Sequence, residues 1–425
     1  MTADHTQEAA VPLHPLTTQQ RTMLEFIGGR VDSYYLMTEA FVLTGELDVA
    51  ALRAALGNVL DRHDVLRAVY PPDRDGYAVA GTGAELIGTV WTEARDRAYT
   101  SADEAFAAGL EEAARPMRLD KEPPLRVWLS SLDEDTTAVI VCGHHLVFDA
   151  WTFMLFYEDL AAEYRGVRAG GSVRTRPRQY AEAQAAPDPA ALEGWGELFD
   201  RGYRAIRALD AAAESPKGPG AVHRRSWAGL SAGVAAAARH FSVTPFAIAS
   251  VAMLQALGDT FGDSQTMFGS AYAGRTTAAA TGAVGYYSTT LFVGEDLDAH
   301  EHVEDLIAAV SGGLRRWYNA PRIQWEDHLA RYGAEDLYPV KFAFQPAELT
   351  ERQLKLPGLQ TRKVSPAKKS LSARRPVNFI GSYDDDAVTA TVIVRSDALG
   401  EEQAARLVDG FGQRLEALAA LAVTD

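Results

Sequence analysis

The chain has 425 residues, 47% hydrophobic and 23% charged, a composition that suits a globular enzyme-like protein with two cores rather than one. Its net charge of −16 argues against general nucleic-acid binding, because neutralising phosphates needs a basic surface. The single cysteine, Cys142, excludes an intrachain disulfide, residues 1–10 carry no secretory signal, and no apolar run approaches the roughly 18 residues of a membrane helix. A cytoplasmic location away from membranes is expected.

Residues 1–11 read as a disordered tail. Glu39–Leu43 is then a predicted strand, Asp48–Arg62 a helix with Asp48 as N-cap, and Val65–Tyr70 and Leu125–Ser130 further strands, with a helix at Ser101–Ala114. The run Ala138-Val139-Ile140-Val141 reads as a buried strand, and Trp151–Arg165 as an amphipathic helix. Gly166–Pro177, rich in Gly and Arg, looks like the interdomain crossover, and Ser215–Gly220 like a second loop. Beyond it come a strand at Val222–Trp227, helices at Ala232–His240 and Pro245–Leu257, and strands near Met267 and Tyr287. A helix at Val303–Tyr318, strands at Val340–Phe344, Val377–Tyr383 and Val388–Val394, and a closing helix at Glu401–Leu421 complete the pattern. Alternating strands and helices define an α/β class. The expected division is an N-terminal lobe over 12–170 and a C-terminal lobe over 171–425.

The chemistry concentrates where the apolar run meets His144-His145-Leu146-Val147-Phe148-Asp149-Ala150-Trp151. Two imidazoles and a carboxylate are held in a tight turn between a strand and a helix. Histidine can accept and return a proton near neutrality. Successive strand residues point to opposite faces, so one histidine should address the reaction centre and the other the core. Asp149 falls at the helix start, where a carboxylate meets the positive end of the dipole.

Three other patterns carry less. Gly229-Leu230-Ser231-Ala232-Gly233 fits a hydrolase nucleophile string, but Ser231 reads better as the N-cap of an alanine-rich helix. Cys142, His144, His145 and Asp149 match no standard zinc spacing, so no metal is expected. No Walker-type glycine loop is present, so the chain should not activate an acyl group with ATP. Basic clusters at Arg201, Arg204 and Arg207, and at Arg362, Lys363, Lys368, Lys369, Arg374 and Arg375, are either solvated faces or docking patches.

His-His-x-x-x-Asp after a strand resembles the core motif of the condensation-domain superfamily of nonribosomal peptide synthetases. Pro15-Leu16-Thr17-Thr18-Gln19-Gln20, Arg62-His63-Asp64-Val65-Leu66-Arg67, Phe268–Arg275 and Val284-Gly285-Tyr286-Tyr287-Ser288-Thr289-Thr290 resemble its other segments, in the same order. The resemblance covers roughly residues 12 to 423. It implies two chloramphenicol-acetyltransferase-like α/β lobes arranged as a V, with the active site at their junction. It assigns catalysis to His145 and supporting roles to His144, Asp149 and its arginine partner, Arg275. Ala150, Trp151, Tyr287 and Thr289 are the expected substrate-channel positions. Ala150 and Thr289 stand where the family usually has glycine and asparagine.

The activity so implied is transfer of an acyl or aminoacyl group from a carrier-protein thioester to a small-molecule amine or alcohol, in natural-product or antibiotic biosynthesis. No cofactor would be bound; phosphopantetheine would arrive on an acyl- or peptidyl-carrier protein. No carrier segment or adenylation domain is recognisable, so a free-standing condensation enzyme is expected. A non-catalytic recruitment platform, an epimerase of carrier-bound aminoacyl groups and a coenzyme A-dependent acyltransferase remain alternatives on the same fold.

Overall fold

In the computed structural model, residues 12–422 are described apart from 30, 32, 34, 73–74, 95–98, 100, 169–202, 212–217, 276, 320–338, 348–352, 365–371 and 374. The expected tail, the crossover beyond Arg168, the 170/171 boundary, Ser215–Lys217, Arg201, Lys368, Lys369 and Arg374 lie outside the described residues.

The chain runs through α1 (Thr18–Ile27), β1 (Leu36–Thr44), α2 (Val49–Arg62), β2 (Ala68–Val69), β3 (Ala78–Val79), α3 (Gly83–Val90), β4 (Trp91–Glu93), α4 (Ala102–Ala113), β5 (Leu125–Ser131), β6 (Thr136–His144) and α5 (Ala150–Arg168). It continues with α6 (Arg204–Ala211), β7 (Gly218–Ala228), α7 (Leu230–His240), α8 (Pro245–Phe261), β8 (Gln265–Tyr272), α9 (Ala278–Thr281) and β9 (Thr289–Asp296). Last come α10 (Val303–Asn319), β10 (Val340–Pro346), β11 (Gln360–Val364), β12 (Ser372–Ala373), β13 (Val377–Tyr383), β14 (Ala387–Arg395) and α11 (Glu401–Leu421).

Two compact units result. One holds the described parts of Met1–Gln184, Arg275–Tyr287 and Arg352–Ala367; the other holds those of Ala185–Gly274, Ser288–Glu351 and Lys368–Asp425. The division is therefore not a single cut in the sequence, because two segments from the second half join the first unit.

The first unit carries a five-stranded sheet in the order β11-β1-β6-β5-β4. Its centre, β6, is antiparallel to both neighbours, β1 and β5. Val139 and Val141 pack with Leu52, Leu56, Phe153 and Phe156 of α2 and α5. Ala138, Ile140 and Cys142 pack on the other face with Ala105 and Phe106 of α4. Both faces are covered, which is why this strand reads as an unbroken apolar run. Three side chains brace its flanks: Glu39 of β1 accepts from Tyr157 Oη (2.8 Å) and Lys363 Nζ of β11 (2.8 Å).

The second unit is built on a seven-stranded sheet in the order β12-β7-β14-β13-β10-β8-β9. Its core joins Phe342 and Phe379 of the sheet to α7, α8, α10 and α11. α8 is buried nearly all round, which matches its uniformly apolar sequence. No single helix among the described residues is long and apolar enough to cross a membrane.

Three local expectations are corrected. Val65–Tyr70 is not one strand: Asp64–Arg67 is a 3-10 turn followed by the two-residue β2. Arg67 holds the turn back on α2, its Nε donating to Leu60 O (2.8 Å) and its Nη2 to Asp64 Oδ1 (2.6 Å). The strand expected near Tyr287 is β9, which begins at Thr289; the Tyr287 N–H itself donates to Asp149. Ser231 is not an N-cap; Gly229, at φ 74°, starts α7, and Ser231 is buried within the helix. Gly218–Gly220, expected as loop, belong to β7.

Gly143 sits one residue before the end of β6, and a Cβ there would collide with the Phe148 ring folded over the strand. Gly143→Ala is therefore expected to destabilise the protein by about 1–3 kcal/mol, the usual cost of overpacking. Urea unfolding monitored by tryptophan fluorescence checks this, and an unchanged midpoint contradicts it.

Candidate active site

β6 stops at His144 because the chain folds back on that residue. The N–H groups of Val147 and Phe148 both donate to His144 O at 2.9 Å. Leu146, Val147 and Phe148 are fully buried, so the turn is anchored in the core. The opening segment of the chain supports it from outside. Thr17 and Gln20 form a capping box at the start of α1, and buried Gln20 extends Nε2 to Leu146 O (3.1 Å) and Tyr70 Oη (3.3 Å).

The two histidines take opposite tautomers. His144 is buried, and its Nδ1 accepts from Leu146 N–H at 3.0 Å, which leaves the hydrogen of the neutral ring on Nε2. His145 is half-buried, and its Nδ1 lies 2.7 Å from Phe148 O. A carbonyl only accepts, so His145 Nδ1 carries a hydrogen, and in the neutral ring the lone pair is on Nε2. Backbone thus fixes which nitrogen of the neutral ring can accept a proton. The Tyr286 ring packs against His145, centroids 4.9 Å apart.

Asp149 caps α5, its Oδ1 accepting from Thr152 N–H at 2.7 Å. It is 1% exposed and pairs with Arg275 Nη2 (3.3 Å), itself 2% exposed, and its Oδ2 accepts from Tyr287 N–H (3.1 Å). Arg275 Nη2 also donates to Thr152 Oγ1 (3.1 Å) and Gly285 O (3.0 Å), and Nη1 donates to the carbonyls of Ala280 and Ala283. The Thr152 hydroxyl donates to Gly285 O (2.7 Å) and accepts from Gly285 N–H (3.0 Å). The loop over 275–287 is thus bolted to the first turn of α5.

The remaining expected positions separate. Ala150 is exposed at the start of α5, so its methyl group costs the helix nothing. Trp151 is half-buried, donates Nε1–H to Thr281 O (2.8 Å) and lies 5.9 Å from the Arg275 guanidinium. Tyr287 is buried with its ring 4.4 Å from the same guanidinium. Thr289 begins β9 in the other unit, paired with Tyr272. Arg62 and His63 tie α2 to α5 through Asp159, at 3.0 and 2.6 Å. Lys363, one of the basic-cluster residues, is engaged by Glu39. Thr152 escaped the sequence reading, and Tyr286, within the Val284–Thr290 segment, was not among the expected site positions.

Cys142 is fully buried, and that burial pushes its thiol from 9.0 up to about 12. Held as a buried thiol, it is a poor nucleophile near neutral pH.

The Condensation domain family model matches residues 13–422, and the chain belongs to that family. It is 27% identical over 355 residues to the probable non-canonical nonribosomal peptide synthetase CymA of Salinispora arenicola, covering 76% of this chain and 4% of CymA. It is 28% identical over 304 residues to the isonitrile lipopeptide synthase of Mycobacterium tuberculosis, covering 65% of this chain and 12% of that protein. The chain thus spans a small fraction of the length of these relatives. Among solved structures it resembles the X-domain from teicoplanin biosynthesis, with TM-score 0.70, 18% identity and coverage of 96% of this chain and 95% of that one. This likeness places the protein in the chloramphenicol-acetyltransferase-like fold of condensation domains.

Asp149→Ala and Arg275→Met each strand a buried charge, and each is expected to cost about 3–5 kcal/mol of stability. Thermal unfolding of the purified variants measures it; two wild-type melting curves would show that the pair contributes nothing. Cys142 should not react with a thiol reagent in the native protein at pH 8. Its folded pKa is raised, so the stability it contributes is complete below the unfolded value near 9 and is lost as pH rises towards about 12. Stoichiometric labelling before unfolding would contradict its burial.

Proposed function

We propose that this chain transfers an acyl or aminoacyl group from a phosphopantetheine thioester on an acyl- or peptidyl-carrier protein to an amine or hydroxyl acceptor. The observation that carries the reading is the His145 ring, with Nδ1–H committed to Phe148 O and Nε2 left basic. The acceptor nitrogen or oxygen attacks the thioester carbon while Nε2 takes its proton. The tetrahedral intermediate then expels sulfur, the C–S bond breaks, and the proton passes to the departing thiolate. A thioester is already activated, so orientation and one proton transfer suffice and no acyl-enzyme forms. His144 and the Asp149–Arg275 pair hold the turn and do not touch the reacting atoms. The family membership and the similarity to a nonribosomal peptide synthetase support a carrier-bound donor.

The test is intact mass spectrometry of acyl-carrier proteins incubated with amine and alcohol acceptors, with and without enzyme. His145→Ala is expected to lower turnover about 10²–10⁴-fold while remaining folded. Wild-type turnover in a folded His145→Ala protein would remove the base from the mechanism. Carrier docking should also raise kcat/KM well above that of the same acyl group on a pantetheine mimic, because remote contacts help position the carbonyl. Equal values would point to a coenzyme A-type donor. Absence of transfer with every donor, together with capture of a partner protein, would favour recruitment instead; the teicoplanin X-domain has been solved in complex with OxyB.

A further inference from the structure

We infer that Tyr286 is a positioning residue for His145, and that the Asp149–Arg275 pair acts on the histidine through it. Tyr286 stands between two residues whose backbones are pinned. On one side Gly285 N–H donates to Thr152 Oγ1 (3.0 Å), and Gly285 O accepts from Thr152 Oγ1 (2.7 Å) and Arg275 Nη2 (3.0 Å). On the other, Tyr287 N–H donates to Asp149 Oδ2 (3.1 Å). The Tyr286 backbone therefore has little freedom.

The two neighbouring tyrosines divide the work. The Tyr287 ring packs on the Arg275 guanidinium at 4.4 Å, while the Tyr286 ring lies 4.9 Å from His145 at an interplanar angle of 56°. Constraints of two different kinds act on His145. Phe148 O holds Nδ1 at 2.7 Å, and the Tyr286 ring packs against the imidazole. The χ2 torsion of an imidazole is broad, so its orientation responds to whatever packs on its face. The packed ring opposes rotation about that torsion and keeps Nε2 aimed one way. A tilted aromatic contact of this kind has the strength to bias a ring orientation severalfold.

The kinetic consequence rests on the acyl-transfer reading; the positioning itself does not and is tested without substrate. Protein labelled with ¹⁵N-histidine distinguishes Nδ1–H from Nε2–H by the imidazole nitrogen shifts, with His145 assigned through His145→Gln. The wild type and Tyr286→Phe are expected to show one Nδ1–H tautomer at neutral pH. Tyr286→Ala is expected to show a mixture of tautomers or an exchange-broadened signal, with the His144 signal unchanged. Tyr286→Leu, which retains bulk but no aromatic face, serves if the alanine variant fails to fold, and is expected to give the same loss.

Wherever the wild type turns over, kcat should fall about 2- to 13-fold in Tyr286→Ala, the range an aromatic pair can supply, with KM little changed and Tyr286→Phe restoring the rate. An unaltered His145 tautomer and titration in folded Tyr286→Ala or Tyr286→Leu overturns the inference. So does a tautomer change in Tyr286→Phe, which would place the effect in the hydroxyl rather than in the ring. An inactive wild type with the expected tautomer pattern would instead count against the acyl-transfer reading and leave the positioning intact.

Discussion

The Asp149 carboxylate has four demands on it at once, and the geometry of the histidine turn depends on its meeting them all. It caps α5 through Thr152 N–H, accepts the Tyr287 N–H, and shares both oxygens with Arg275. Two ions this deeply buried pay a large desolvation cost, and a hydrophobic pair of similar volume can be as stable. What the pair adds is location. It joins residues 126 apart in sequence and brings a segment of the second half of the chain to the first turn of α5. Arg275 Nη1 and Nη2 are saturated with carbonyl, hydroxyl and carboxylate partners, whereas its Nε is buried with no hydrogen-bond partner among the described residues. The guanidinium is therefore held from one end and packed against Tyr287 on its face.

The scaffold under the site is rigid for reasons unconnected with chemistry. β6 is the middle strand of its sheet and is covered on both faces, so its end cannot move without disturbing two clusters. Gln20 fastens α1 to the turn at Leu146 O, Arg62 and His63 fasten α2 to α5 through the Asp159 carboxylate, and Arg67 holds the 3-10 turn to Leu60 O of α2. The conspicuous charged and polar motifs of the first unit are thus mostly braces. Within the His144–Asp149 turn, His145 alone combines partial exposure with a defined basic nitrogen. A group placed at the end of a fixed element is held more precisely than one on a free loop.

Long periodic elements were legible in the sequence: β13 and α11 match the expected ranges, and α2, β5, α8 and α10 fall within a few residues of theirs. Their apolar spacing answers to burial alone, which is a local property of the pattern. Short elements were not. The 3-10 turn at Asp64–Arg67 carries the β-branched and apolar residues of a strand, but the Arg67 side chain turns the chain there. α3 and β4 went unread because so few residues define them.

At the site, the sequence by itself determined a buried strand running into paired histidines and an aspartate capping the next helix, because apolar patterning and helix capping act over a few residues. The arginine that meets the aspartate was expected only from the family resemblance, since the two lie 126 residues apart. Tertiary structure decided which histidine nitrogen is basic, since Phe148 O and Leu146 N–H impose opposite tautomers on adjacent rings. It also decided that Tyr286, rather than Tyr287, lies on His145, and that Lys363 is engaged by Glu39. The tyrosine and lysine contacts depend on partners brought together from distant parts of the chain, whereas the tautomers depend on the backbone path of the turn, two and three residues from the rings.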